Sequence, residues 1–342
     1  MSNGLKVLDA GPYSTIQDMG RMGYQDVGVP VSGALDKTSA RIANMLVGND
    51  RHCPVLEMLL QGVAFEVQAD SVRVALFGCE GALTIEGARK LTVPAGRSVR
   101  LVKGDKVKVG SLGQSLSAYL AIEGGLDLPV QLGSVSTYVR GGIGGLEGRT
   151  LKRGDELPLA QSSVDARDEK ALREPFDYGY DEPVRVVLGP QSDYFTESAL
   201  KGFFTQPYVV SGQADRMGFR LEGPTIEHAE GYDLVSDGIV SGAIQVPGSG
   251  LPIVLLADAQ TTGGYPKIAT VISTDISILG RRRPGASVHF KQVSRDEAES
   301  IACETEAWLA QLASQGIRDF APDGVIDLEA LRLENLSSGV NN

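Results

Sequence analysis

Short apolar runs rich in branched residues, fenced by glycine, proline or aspartate, recur along this chain and limit its fold more than any other feature. Runs of this length suit strands and are too short for buried helices. The clearest is 251–257, LPIVLLA, between Gly250 and Asp258, and a second, 268–272, follows closely. Others are expected at 5–8, 63–67, 72–77, 83–85, 98–101, 107–109, 118–122 and 184–188. Their spacing, with 42 glycines and 16 prolines to make the turns, predicts a mainly β protein of antiparallel barrels or sandwiches. A length of 342 residues allows two cores.

Between the runs 251–257 and 268–272 lies Gln260-Thr261-Thr262-Gly263-Gly264-Tyr265-Pro266-Lys267, which combines a carboxamide, two hydroxyls, two glycines, a phenol and an ammonium. Adjacent glycines let a ligand approach the backbone, and the neighbouring side chains nearly all donate hydrogen bonds. Such a turn can cradle an anion or a carbonyl. Its bland reading is a polar turn with Lys267 solvated at the edge.

Two other loops carry more chemistry than spacers need. The first runs from Gly11 to Asp36 and holds Gln17, Asp18, Arg21 and Ser32, of which Asp18 and Arg21 can equally form a local ion pair. The second sets Asp215-Arg216 beside a glycine, where a buried Arg216 would be a fixed fork for a carboxylate or phosphate, and an exposed one a weak surface charge. The segment GGIGGLEGRT, 141–150, lacks the glycine at 147 that a dinucleotide fingerprint needs and any P-loop lysine. It reads as a flexible loop near a site.

Helices are few. One is expected at 37–47, capped by Asp36 and ended by Gly48. Another follows Ser294, with Glu297 completing a capping box and an apolar face that places Trp308 toward the core. The polar segment 161–183 reads as a linker. The domains are then 1–160, a barrel, and 184–314, a second barrel with a closing helix, followed by an acidic tail, 315–342, expected to fray.

Several function classes are disfavoured. A net charge of −11 with scattered basic residues argues against nucleic-acid binding, and Arg281-Arg282-Arg283 reads as a solvated turn or part of a partner surface. The three cysteines and three histidines show no metal-ligand spacing, so no metal is expected. The N-terminus lacks a signal-peptide core and no run is long enough to span a membrane, so a cytoplasmic location is expected. No GxSxG elbow is present.

The segments TIQDMGRMGY, GVPVSGALD, LVGN, STYVRGGIGGLEGR, QADRMGFRLEG and VPGSGLPIVLLADAQTTGGYPKIATVIS, in this order, resemble the KipA-like family. It comprises allophanate hydrolase subunit 2, biotin-dependent carboxyltransferase domains and the C component of 5-oxoprolinase. The resemblance implies a β-barrel followed by a cyclophilin-like barrel and a KipI-like partner subunit. It also implies one of three roles. These are ATP-dependent opening of 5-oxoproline to glutamate with that subunit and a third, carboxyl transfer to urea or a similar amide, and a regulatory binding role. ATP would be bound at the subunit interface. Biotin would have to arrive on another polypeptide, because no lysine stands beside Met58 in LEMLL. Two departures stand out: VPGSGLP replaces VPPDGxP, and Ala259 replaces an arginine.

Each enzymatic reading activates an amide carbonyl whose oxygen gains charge. Gln260, Thr261, Thr262, Tyr265 and the amides of Gly263 and Gly264 are the candidate donors to that oxygen. Lys267 or Arg216 would neutralise a carboxylate, and Asp215 or Asp258 would orient those cations or move a proton. Gln17, Arg21, Ser32 and Gln245 complete the candidate substrate-binding set.

Overall fold

The computed structural model describes residues 3–87 and 90–320. The first domain is two facing antiparallel sheets around one core, a sandwich where the sequence suggested a barrel. One runs in the order Glu156–Pro158, Gly4–Asp9, Ala64–Val67, Lys106–Val109, Ala82–Glu86, Lys90–Pro94. The other runs Tyr13–Gln17, Val55–Leu59, Ser117–Ile122, Ser71–Phe77, Ser98–Val102. Strands of the first sheet alternate, as in Lys106–Val109, where valines point inward and lysines outward. Central strands of the second are buried on both faces, because helix α1, Lys37–Val47, covers the side away from the core. Asp36 caps α1 by accepting from Ser39 N at 2.9 Å, and Gly48 ends it in the left-handed conformation, both as expected.

The second domain is built on one eight-stranded sheet. Its order is Ser287–Val288, Tyr208–Asp215, Gly218–Glu222, Ile253–Leu255, Ala243–Gln245, Lys267–Val271, Val184–Leu188, Phe290–Gln292. The two edge strands are separated in sequence by His289 alone, so the sheet curls until its ends nearly meet. Helices α2, Glu197–Thr205, and α3, Asp275–Gly280, lie at its margins, with no counterpart in the sequence reading. Helix α4, Arg295–Gln311, follows with both halves of the Ser294–Glu297 capping box in place. Trp308 stays 40% exposed on it and rests on Phe176, while Leu309 is its buried residue.

Three expectations are corrected. Segment 161–183 is a fastened strap: Glu169–Leu172 pairs with Ile317–Phe320, and Phe176 and Tyr178 pack on Phe77. Polar composition concealed this because the strap docks through a few aromatics. The acidic tail accordingly begins later than 315, since Ile317–Phe320 is that partner strand; 321–342 lie outside the described residues. The arginine run is an internal clamp. Arg281 donates to Asp36 at 2.5 Å and to the Tyr178 carbonyl. Arg282 donates to the Gly179 and Glu182 carbonyls, and Arg283 to those of Ser115 and Leu60.

The domains share apolar core. Leu35, Leu59 and Leu116 of the first pack in one cluster with the barrel interior of the second. The two loops rich in chemistry are thereby brought to this seam.

A candidate active site at the domain seam

Arg216 lies at the bottom of the seam, 2% exposed. Its Nε and Nη2 donate to Asp258 at 2.8 and 3.0 Å, its Nη1 to Glu57 at 2.5 Å, and Nη2 also to the Gly33 carbonyl at 2.8 Å. Burial opposes its charge, but Asp258 and Glu57 outweigh burial and hold its pKa above the usual value. The same surroundings push Tyr13 up to about 12, chiefly by burial. Glu57 also accepts from Leu35 N and from the Tyr119 hydroxyl. Arg216 and Asp258, offered to a substrate by the sequence, are thus paired with each other in the second domain and, through Arg216, tied to Glu57 and the Gly33 carbonyl of the first, a brace across the seam. Glu57 had a legible signal: it is the one carboxylate in the otherwise apolar strand Val55–Leu59.

Above this brace lies a cleft of about 580 Å³. Of the candidate residues it gathers Asp215, Gln245, Gln260 and Tyr265, and it adds Arg140, Gln213 and Arg220, which the sequence reading had not singled out. Met217, Ile253 and Leu255 supply apolar wall. Gln245 is 2% exposed and its Nε2 has no hydrogen-bond partner among the described residues. A buried carboxamide donor left open toward a cleft suits a ligand's carbonyl. Asp215 turns back to accept from Met217 N and Gly218 N, and its pair with Arg140, 3.7 Å apart and exposed on both sides, is weak. Arg140 is therefore available to a carboxylate.

The twin-glycine turn forms the cleft's flap rather than a free cradle. Thr262–Gly263 pairs with Asp237–Gly238, Ile239 N donates to the Thr261 carbonyl, and Leu234 N to that of Gly264. Thr262 is exposed and does not line the cleft. Lys267 is buried with its ammonium 3.3 Å from Asp237, and stands opposite Gln245 in the ladder. Gly263 lies close against Gln245: a Cβ there would come within 2.7 Å of Gln245 Nε2 and 2.6 Å of the end of the Ile239 side chain, and both would have to shift.

On the other side of the seam, Asp18 makes no ion pair with Arg21. Its carboxylate accepts from Ser134 Oγ, Ser136 Oγ, Val135 N and Gly20 N, and so fixes the loop that carries Arg140. Gln17 and Arg21 reach the same loop, at the carbonyls of Thr137 and Ser136. Lys37, half-buried on the first turn of α1, has no hydrogen bond or ion pair among the described residues. Burial lowers its pKa, assisted by Arg216 and opposed by Asp18.

The glycine-rich loop does not fit a phosphate group. Gly142 N donates to the Val139 carbonyl, Gly144 N to Gln131 Oε1, Gly145 N to the Val135 carbonyl and Gly148 N to that of Gly144. These amides are committed internally, where a phosphate cradle needs them pointing outward. Among the described residues no cluster of His, Cys, Asp or Glu could hold a metal, and no helix is long and apolar enough to cross a membrane.

Residues 27–292 match the model of the carboxyltransferase domain, subdomains A and B. The chain is 37% identical to the C component of 5-oxoprolinase from Escherichia coli over 310 residues, 90% of this chain and 97% of that one. It is 31% identical to the urea amidolyase of Saccharomyces cerevisiae, covering 87% of this chain but 17% of that protein. The crystal structure of the K. lactis urea amidolyase superimposes with a TM-score of 0.84 at 28% identity, over 96% of this chain and 21% of that one. The mainly β architecture and the match over nearly the whole length agree: this chain belongs to the carboxyltransferase-domain family, which it shares with the C component of 5-oxoprolinase.

Proposed function

We propose that the chain acts as the C component of an ATP-dependent 5-oxoprolinase, opening the lactam of 5-oxoproline to glutamate together with a KipI-like subunit and a third subunit in the cytoplasm. The observation that carries this reading is the near end-to-end match to a protein of that name, 97% of which is covered. The cleft is consistent with the substrate. Arg140 and Arg220 offer guanidinium groups to its carboxylate, and Gln245 Nε2 and Gln260 offer amide donors to the lactam oxygen.

When the lactam carbonyl is attacked, its oxygen gains charge, and a fixed N–H directed at it lowers the barrier because no reorganisation is needed. Gln245 is held for this role by its strand and by Gly263 against it. Tyr265, beside it in the lining, can hold or pass a proton at the ring nitrogen as the C–N bond opens. ATP, when bound, would activate the amide. With its amides committed internally, the glycine-rich loop does not cradle a triphosphate, and we assign the nucleotide to the face shared with the partner.

The test is co-expression with the adjacent gene products and assay of ATP-linked glutamate release from 5-oxoproline. Turnover is expected, and Gln245→Ala should lower kcat by about a hundredfold while the complex still assembles. A verified complex without turnover would instead favour carboxyl transfer to urea or a similar amide. That second reading is supported by the fit to urea amidolyase and needs biotin on another polypeptide.

A further inference from the structure

Three side chains of the first loop are buried with polar atoms that have no hydrogen-bond partner among the described residues. Arg21, 1% exposed, donates from Nη2 to the Ser136 carbonyl at 2.6 Å, yet its Nε and Nη1 have no partner. Ser32 Oγ, 1% exposed, and Gln17 Oε1, 0% exposed, are likewise without one. Gln17 cannot be turned over to cure this, because its Nε2 donates to the Thr137 carbonyl at 3.1 Å and an oxygen there would face another oxygen.

The three lie together. Gln17 and Arg21 bind consecutive carbonyls, 137 and 136. Arg21 N donates to the Val31 carbonyl, which brings Ser32 alongside, and Ser32 N donates across the seam to the Ala257 carbonyl. Ser32 holds φ at +56°, a strained left-handed value for a residue with a side chain. Gly144 packs directly against the guanidinium: a Cβ there would sit 2.9 Å from Arg21 Nη2 and 2.0 Å from the Ser136 oxygen. Burial lowers the Arg21 pKa, with Asp18 and Asp258 only partly offsetting it.

A buried guanidinium with open donors, a hydroxyl and one open carbonyl acceptor define a complementary guest. It must carry negative charge for Arg21 and an O–H for Gln17 Oε1. We infer that Gln17, Arg21 and Ser32 form a second subsite, at the seam behind the Arg140 loop, for a small protonated oxyanion of the bicarbonate or hydrogenphosphate class. The site does not depend on which amide is opened, and it can be read on the chain alone.

The full-length chain is titrated calorimetrically with phosphate and, separately, bicarbonate in chloride buffer, with sulfate as the anion lacking an O–H. Saturable one-to-one binding of phosphate, of bicarbonate or of both is expected, each result naming the source, with sulfate clearly weaker. Arg21→Gln and Ser32→Ala should each weaken that binding about ten-fold or more. Gln17→Met, which keeps the length of the side chain but removes the open acceptor, should weaken it likewise. If Arg21→Gln does not fold, the other two variants decide. Lack of binding by both anions, or binding equal for sulfate and unchanged in the variants, would overturn the site and leave ordinary buried water as the filler. Glutamate release by the reconstituted complex reports separately on the proposed function.

Discussion

Arg216 shows how one residue's role changes with burial. In sequence, Asp215-Arg216 is a charged turn. In the fold the aspartate stays in water while the arginine pairs with Asp258 of its own domain and crosses the seam to Glu57 and the Gly33 carbonyl. Removing one member of such a network leaves buried charge uncompensated. Arg216→Met should therefore cost about 3–5 kcal/mol, seen as a lower urea midpoint. Arg216→Lys should rescue little, since one ammonium cannot reach three acceptors in a planar fork. An unchanged midpoint would show that the brace contributes nothing.

At the scale of elements, the strand Ile253–Leu255 within the apolar run 251–257, α1 with its Asp36 cap and the Ser294 capping box could all be read from local pattern, because their signals lie within a few residues. The 134–148 loop could not. Its shape depends on Asp18, more than a hundred residues earlier, and on glycines that allow close approach. Gly144 has φ of +73°, and a Cβ there would meet the Ser136 carbonyl. Gly144→Ala should destabilise the chain by more than about 1 kcal/mol, and should shift the seam beside Arg140. A thermal melt checks the first effect. The flap is the reverse case: the Gly263-Gly264 signal was legible, but the pairing with Asp237–Gly238 that commits its backbone was not, because that strand is two residues long and polar.

At the scale of the molecule, burial makes stability fall in alkali. Cys53 and Cys79 are pushed from 9.0 to about 11 and about 12, and Tyr13 from 10.0 to about 12, chiefly by burial. Groups whose folded pKa is raised contribute stability that is complete below the unfolded value and lost as pH climbs toward the folded one. The urea midpoint should hold to about pH 9 and then drop through pH 11, by up to about 1.4 kcal/mol per pH unit for each group. A flat profile from pH 8 to 11 would show that these groups are not buried in solution. The order of residues was enough to specify the β class, the two longest capped helices and the loops where chemistry collects, because each rests on hydrophobic periodicity and turn residues close together in the chain. Which polar groups are braces and which remain open was settled by tertiary packing alone. That depends on burial and on partners far apart in sequence, such as Arg216 with Glu57, Arg281 with Asp36, and Gln245 with the cleft.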